Sequence, residues 1–403
     1  MLLVSTWSRP FVKATVVLLF IGTGIGSAWM LMLSGYSMGI PAGVFALHRE
    51  FQTGAITLLI MGVMYMLVPR IRSIRFTNVR EARISFVLMI ASLVMQSSAV
   101  VVGSSMILVA AVTRLTAVAL FSLLVLLMLR VAPRSGRLAD HYFTLSLSML
   151  IAYSALHTAA AVGMNIKMEP LNLIYIWMAS VIFTIFGVQY KVVPVFFNQS
   201  SPMRGVDLVA FISALTSASM LVMQLFAAAV AAMMVSALAF AYSIYLMRRL
   251  TIPGFLYTSQ DPQAAEKIAR LRFFATLLRV AYIALLLGLI NALLYATNPT
   301  FHLYDLAIHM VTMGFIGITI MNFMPIMLPP IVGRNVNYTR FNMIPLIVLL
   351  SAIALRVSWN LMPYMMAVDR VVFGISGLVT VAAMILYINM IHASMDPPAH
   401  VEG

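Results

Sequence analysis

Residues 62–69 read Gly62-Val63-Met64-Tyr65-Met66-Leu67-Val68-Pro69, and residues 187–194 read Gly187-Val188-Gln189-Tyr190-Lys191-Val192-Val193-Pro194. Both fit G-V-x-Y-x-x-V-P, and each closes a long apolar run. A degenerate third copy, Asn322-Phe323-Met324-Pro325-Ile326-Met327-Leu328-Pro329, closes another. The closing prolines stand 125 and then 135 residues apart. A bilayer helix with its loop takes roughly 30 residues, so each interval holds four spans. The spacing predicts three pseudo-repeated four-helix units of one topology, at about 11–131, 141–250 and 270–393.

The composition agrees. The 403 residues are 63% hydrophobic and 9% charged, with a mean hydropathy of +1.02, whereas charged residues make up near a quarter of ordinary soluble proteins. The length suffices for roughly twelve spans and leaves no room for a separate soluble domain. The expectation is an all-α integral membrane protein, a single polytopic domain over residues 1–403. Nearly uncharged stretches fall at about 11–34, 43–68, 84–105, 107–130, 141–165, 171–196, 206–225, 227–247, 272–296, 302–331, 342–363 and 368–393. Two of them join at Gly103-Ser104-Ser105 with almost no loop. The run from Phe11 reads as the first span, being too long for a leader and without a small-residue cleavage site.

The absence of cysteine excludes disulfides, thiolate-held iron–sulfur clusters and Cys-ligated zinc. The net charge of +14 reads as topology signals rather than nucleic-acid affinity, because the cations gather in alternate loops. Arg70, Arg72, Arg75, Arg80 and Arg83 follow span two, and Arg130, Arg134 and Arg137 follow span four. Arg204 follows span six, and Arg248, Arg249, Lys267, Arg270 and Arg272 follow span eight. Arg334 and Arg340 follow span ten. The other loops carry isolated charges such as Arg114, Lys167 and Arg370. The positive-inside rule then puts both termini in the cytoplasm, and the localisation expected is the plasma membrane of a prokaryote, multi-pass.

Without thiols, histidine is the main candidate ligand. His141, His392 and His400 lie toward the cytoplasmic side and read as interfacial or solvated. His48, His157, His302 and His309 fall toward the outer ends of their helices. His48 precedes Pro69 by 21 residues and His309 precedes Pro329 by 20, about 30 Å in each case at ~1.5 Å per residue. Equal heights on equivalent helices suit two residues that clamp one flat cofactor. A membrane histidine that only hydrogen-bonds a neighbouring helix is the competing reading.

His302, Asp305 and His309 share one face of span ten. Asp305 could orient His309 by accepting its second ring N–H. The three could instead hold a mononuclear non-heme metal, or form a simple interfacial His–Asp pair. His157 is open as second ligand, second cofactor site or structural contact. Arg356, Asp369, Arg370 and Arg114 lie on the same outer side. There arginine suits pairing with carboxylates, and snorkelling explains each singly. Arg279 has no explanation from the sequence, and the 33 methionines are scattered as packing residues.

Twelve spans in three arcs, with histidines high on spans two and ten, resemble the subunit-I-like proteins of heme-copper oxidases and nitric oxide reductases. NnrS-type membrane proteins share this general look. The resemblance rests on Leu47-His48-Arg49-Glu50-Phe51-Gln52-Thr53-Gly54 running to Pro69-Arg70, and on Ile308-His309-Met310-Val311-Thr312-Met313-Gly314-Phe315 running to Leu328-Pro329. It implies a low-spin heme b on His48 and His309, one or two hemes in all, with Arg370 and Arg356 as propionate contacts. The family's copper ligands in helices six and seven have no counterpart, since residues 171–225 contain no histidine. The paired His-x-His of helix ten is also absent, so no copper B is expected.

The function expected is a heme b electron-transfer subunit on an oxidase-like scaffold. It would be part of a quinol-linked oxidoreductase, with quinol or quinone, membrane lipid, other respiratory-complex subunits and an outer cytochrome or cupredoxin as partners. The alternatives are a twelve-helix secondary transporter, which would show two related halves and a midplane site, a non-heme metal membrane protein using His302, Asp305 and His309, and a cofactor-free scaffold.

Overall fold

Within a bilayer an uncharged run can satisfy its backbone only as a helix or in a closed barrel, and here every long run is helical. The computed structural model describes residues 8–35, 42–102, 105–131, 137–164, 169–197, 202–246, 252–258, 264–331, 342–361 and 366–393. Outside them lie Arg134, Lys167, Arg248, Arg249, Arg334, Arg340, His400 and the join at Gly103-Ser104. The side chains of Arg137, Asp369 and Arg370 are likewise outside the description.

The helices are α1 (Arg9–Leu33), α2 (Ala42–Arg72), α3 (Val79–Val102), α4 (Ser105–Val131), α5 (Arg137–Ala161), α6 (Pro170–Phe196), α7 (Val206–Val222), α8 (Phe226–Ser243), the short α9 (Phe255–Thr258), α10 (Ala264–Thr297), α11 (Phe301–His309), α12 (Ile318–Ile331), α13 (Ile344–Leu361) and α14 (Met366–Ala393). A π-helical segment, Met310–Gly317, joins α11 to α12 into one continuous rod. No strand occurs among the described residues. Eleven helices there are long and apolar enough to cross a membrane, and α7, at 17 residues, is a shorter apolar helix. The chain is a multi-pass, all-helical membrane protein.

Local chemistry sets the helix ends. Proline stands in the first turn of α1 and of α6, where its missing N–H costs nothing. Thr300 caps α11 by accepting from the Leu303 N–H. Each motif proline falls in the last turn of its helix: Pro69 in α2, Pro194 in α6 and Pro329 in α12.

The three motif-bearing rods are also the most buried of the candidate spans. The most apolar stretches of α2, α6 and the α11–α12 rod are 83, 83 and 61% buried. Two of α6's aromatic residues tie the rods together. The Trp177 indole N–H donates to Thr57 on α2 at 3.4 Å. The Tyr175 hydroxyl donates to the Ala307 carbonyl at 3.0 Å, just before the π segment. A change from four- to five-residue hydrogen bonding shifts carbonyls off their regular partners, and Tyr175 supplies a donor at that junction. Below it Phe186 stacks on Phe240 at 4.2 Å and edges against Phe315 at 6.5 Å. Toward the motif end, Arg72 pairs with Asp140, and Tyr190 donates to Asp207 at 2.8 Å.

Candidate functional site

One set of polar groups buried at the other end of the bundle comes from α2, α11 and α13. His48 sits in the second turn of α2, against α1. Its Nδ1 lies 2.7 Å from the Gly22 carbonyl. The ring fits because α1 carries glycine at 26: a Cβ there would stand 2.5 Å from two ring atoms. A carbonyl oxygen only accepts, so Nδ1 must carry the proton, and in the neutral ring Nε2 then holds the free lone pair. His309, in the last turn of α11, repeats this arrangement within its own helix. Its Nδ1 lies 2.8 Å from the Asp305 carbonyl and 3.2 Å from Asp305 Oδ1. Its Nε2 is again the free face. The two histidines lie within electrostatic range of each other, and Arg356 is within range of His48.

Behind His309 is a buried charged network. Asp305, 4% exposed, accepts two hydrogen bonds from Arg356, Nη2 to Oδ1 at 2.6 Å and Nε to Oδ2 at 2.7 Å. This fork is the strong, directional form of an ion pair. Asn360 Nδ2 donates to Asp305 Oδ2 and to the Arg356 carbonyl, both at 2.9 Å. Its amide oxygen is thereby turned toward His302, whose Nδ1 lies 3.1 Å away. Arg356 also places Nη1 3.2 Å from the Met30 sulfur and its guanidinium carbon 5.1 Å from the Phe373 ring centre.

A second cluster occupies the opposite face of the same α2 turn. Glu50 pairs with Arg114 of α4 at 2.6 Å, and its other oxygen lies 3.8 Å from His157 Nε2 on α5. Tyr153 stands against both Arg114 and Thr53. Glu50 and Arg114 are 4 and 3% exposed. His157 Nδ1 and Arg114 Nε are buried without a hydrogen-bond partner among the described residues.

The structure thus brings His48, His309, Asp305, Arg356 and His302 to one end of the bundle. Asp305 directs its oxygens at Arg356, Asn360 and His309. No group of three or more His, Asp or Glu residues among the described residues could hold a metal ion. Arg356 turns its forked edge to Asp305, so a cofactor carboxylate would meet at most its Nη1 side. Snorkelling does not describe Arg114, which is buried beside Glu50, and Arg279 donates to the Leu246 carbonyl at 3.0 Å. His157 belongs to the Glu50 cluster. Sequence reasoning passed over Glu50, Asn360 and Tyr153. An acidic residue inside an apolar run was the available signal for Glu50, masked by the adjacent Arg49.

Fold and site define a class: a polytopic all-helical membrane protein with two buried ion-paired clusters at one end, one flanked by two histidines with free Nε2 atoms. Residues 137–395 match the family described as Domain of unknown function (DUF8744), and the chain belongs to that family. The matched segment takes in His157, His302, Asp305, His309, Arg356 and Asn360, while His48 and Glu50 precede it. No curated protein sequence matches the chain.

Proposed function

We propose that the protein is a heme b-binding electron-transfer subunit on a heme-copper-oxidase-like scaffold, working with quinol in a respiratory complex of a prokaryotic plasma membrane. This reading counts α7 as the twelfth span, since 17 residues reach about 26 Å, close to the minimum for a crossing. It takes the helices as three pseudo-repeats with both termini cytoplasmic.

One observation carries the reading. His48 and His309, from two separate helices, both commit Nδ1 to a backbone carbonyl, which in the neutral ring puts the ligating lone pair on Nε2. That is the orientation ligating imidazoles take, with the second ring nitrogen fixed by a hydrogen bond. Glycine at 26 gives His48 its seat, and the π segment begins immediately after His309, as π-bulges often do at functional sites. Held by the two imidazoles, heme would supply a one-electron couple tuned by these hydrogen bonds and the low dielectric. The chain's own contribution is orientation. Gly22 fixes the His48 ring, Asp305 fixes His309, and Arg356 balances the Asp305 charge. The reading includes no copper centre. Lipid surrounds the bundle, and an outward-facing cytochrome or cupredoxin, or another subunit, would accept the electron.

The test is a reduced-minus-oxidised spectrum of detergent-purified protein with a pyridine hemochrome assay. The expected result is a low-spin b-type spectrum with heme in stoichiometric amount. A featureless spectrum from folded protein produced with ample heme would overturn the proposal.

A further inference from the structure

Beside the charged network, α1, α11, α13 and α14 enclose an aromatic pocket of about 260 Å³, lined by Trp29, Leu33, Phe301, Trp359 and Phe373. Trp359 and Phe373 stack at 4.1 Å. Trp29, Leu33 and Phe301 remain 36, 44 and 46% exposed, so the pocket is open to the bundle's surroundings. We propose that it binds the ring of a lipid-soluble hydroquinone, with His302 accepting the hydrogen bond of a ring hydroxyl. The choice of ligand rests on the quinol-linked reading above.

Size, charge and polarity each favour that occupant. An apolar cavity of about 150 Å³ holds benzene, so this one admits a substituted ring or two fused rings. Flat walls of indole and phenyl suit offset stacking with another ring. A cationic headgroup is the other guest an aromatic box attracts, but here the Arg356 guanidinium already lies 5.1 Å from the Phe373 ring centre. That places positive charge at the wall and disfavours a second cation.

The polar end follows from Asn360. Its amide nitrogen faces two acceptors, the Asp305 carboxylate and the Arg356 carbonyl, so its oxygen must face His302. His302 Nδ1 therefore donates to Asn360, and Nε2 keeps the lone pair. The His302 ring packs on two pocket walls, with its centroid 4.8 Å from that of Trp359 and 6.2 Å from that of Phe301. A lone pair at Nε2 accepts from a hydroxyl and has nothing to offer a quinone carbonyl. The site therefore prefers the reduced ring.

The experiment is anaerobic titration of the full chain, in quinone-free lipid nanodiscs, with a decyl-substituted benzohydroquinone, followed by tryptophan fluorescence. Saturable quenching is expected, about 5- to 150-fold weaker in Trp359→Ala, the range equivalent to the 1–3 kcal/mol of one aromatic stack. The oxidised form should bind more weakly, and His302→Leu should abolish that difference. Trp359→Phe and His302→Gln serve as milder variants should the first pair fail to fold. Quenching that never saturates, affinity unchanged in all four variants, or tighter binding of tetramethylammonium would each overturn the proposal. The readout does not need heme. A heme-free chain that binds hydroquinone defeats only the electron-transfer reading, whereas a heme-bearing chain that does not bind it defeats only this site.

Discussion

Replacing Asp305 with leucine strands the guanidinium of Arg356. Arg356 is 7% exposed and Asp305 4%, so water cannot take over the two bonds of 2.6 and 2.7 Å that join them. The other partners of Asp305 lose little. Asn360 keeps the Arg356 carbonyl, and His309 keeps the backbone oxygen of residue 305. The cost therefore concentrates on the orphaned charge, and removing one member of a buried ion pair costs about 3–5 kcal/mol. Replacing both residues, as Asp305→Leu with Arg356→Met, leaves no charge behind, and such swaps range from neutral to stabilising. The double variant should be at least about 2 kcal/mol more stable than Asp305→Leu alone. The coupling is measurable by a double-mutant cycle. The assay is unfolding of the purified protein in mixed micelles with rising SDS, followed by tryptophan fluorescence. If Asp305→Leu unfolds with the wild type, or the double variant loses the sum of the single losses, the buried-pair reasoning is refuted.

The Glu50 cluster should behave alike: Glu50→Leu is expected to cost about 3–5 kcal/mol in the same assay, and adding Arg114→Met should recover most of it. Gly26→Ala introduces a Cβ 2.5 Å from the His48 ring, whereas a Cβ at Gly24 meets nothing within 4 Å. Heme content per chain should therefore fall in Gly26→Ala and hold in Gly24→Ala; equal content in the two would break the link between that glycine and the histidine seat. Tyr175→Phe removes the donor to the Ala307 carbonyl at the π junction and should cost about 0.5–1.5 kcal/mol, the net contribution of one intramolecular hydrogen bond. SDS unfolding at the wild-type midpoint would show that the carbonyl finds another donor.

The helices were legible in the sequence because burial in lipid imposes a one-dimensional rule, an uncharged run of sufficient length. The proline motif located the three most buried rods for a related reason. It marks the last turn of each, where a helix bounded by charged loops must stop. His48 and His309 were legible through their distance to those prolines. The Asp305–Arg356 pair was not, since 51 residues separate the partners and only the packing of α11 on α13 brings them together. Glu50 went unnoticed for a similar reason, with Arg114 64 residues away on α4. Trp29 and Trp359 look in sequence like the aromatic residues common at any membrane interface, and only the fold turns them toward one pocket. The π segment has no evident signature in Met310–Gly317.

The most direct test of the central claim is the visible and low-temperature EPR spectrum of His309→Ala compared with His48→Ala and His302→Ala. The expected result is a low-spin b-type signal in the wild type and in His302→Ala, lost or converted to high spin in each of the other two. A low-spin signal that survives both His48→Ala and His309→Ala would contradict the proposed ligand pair.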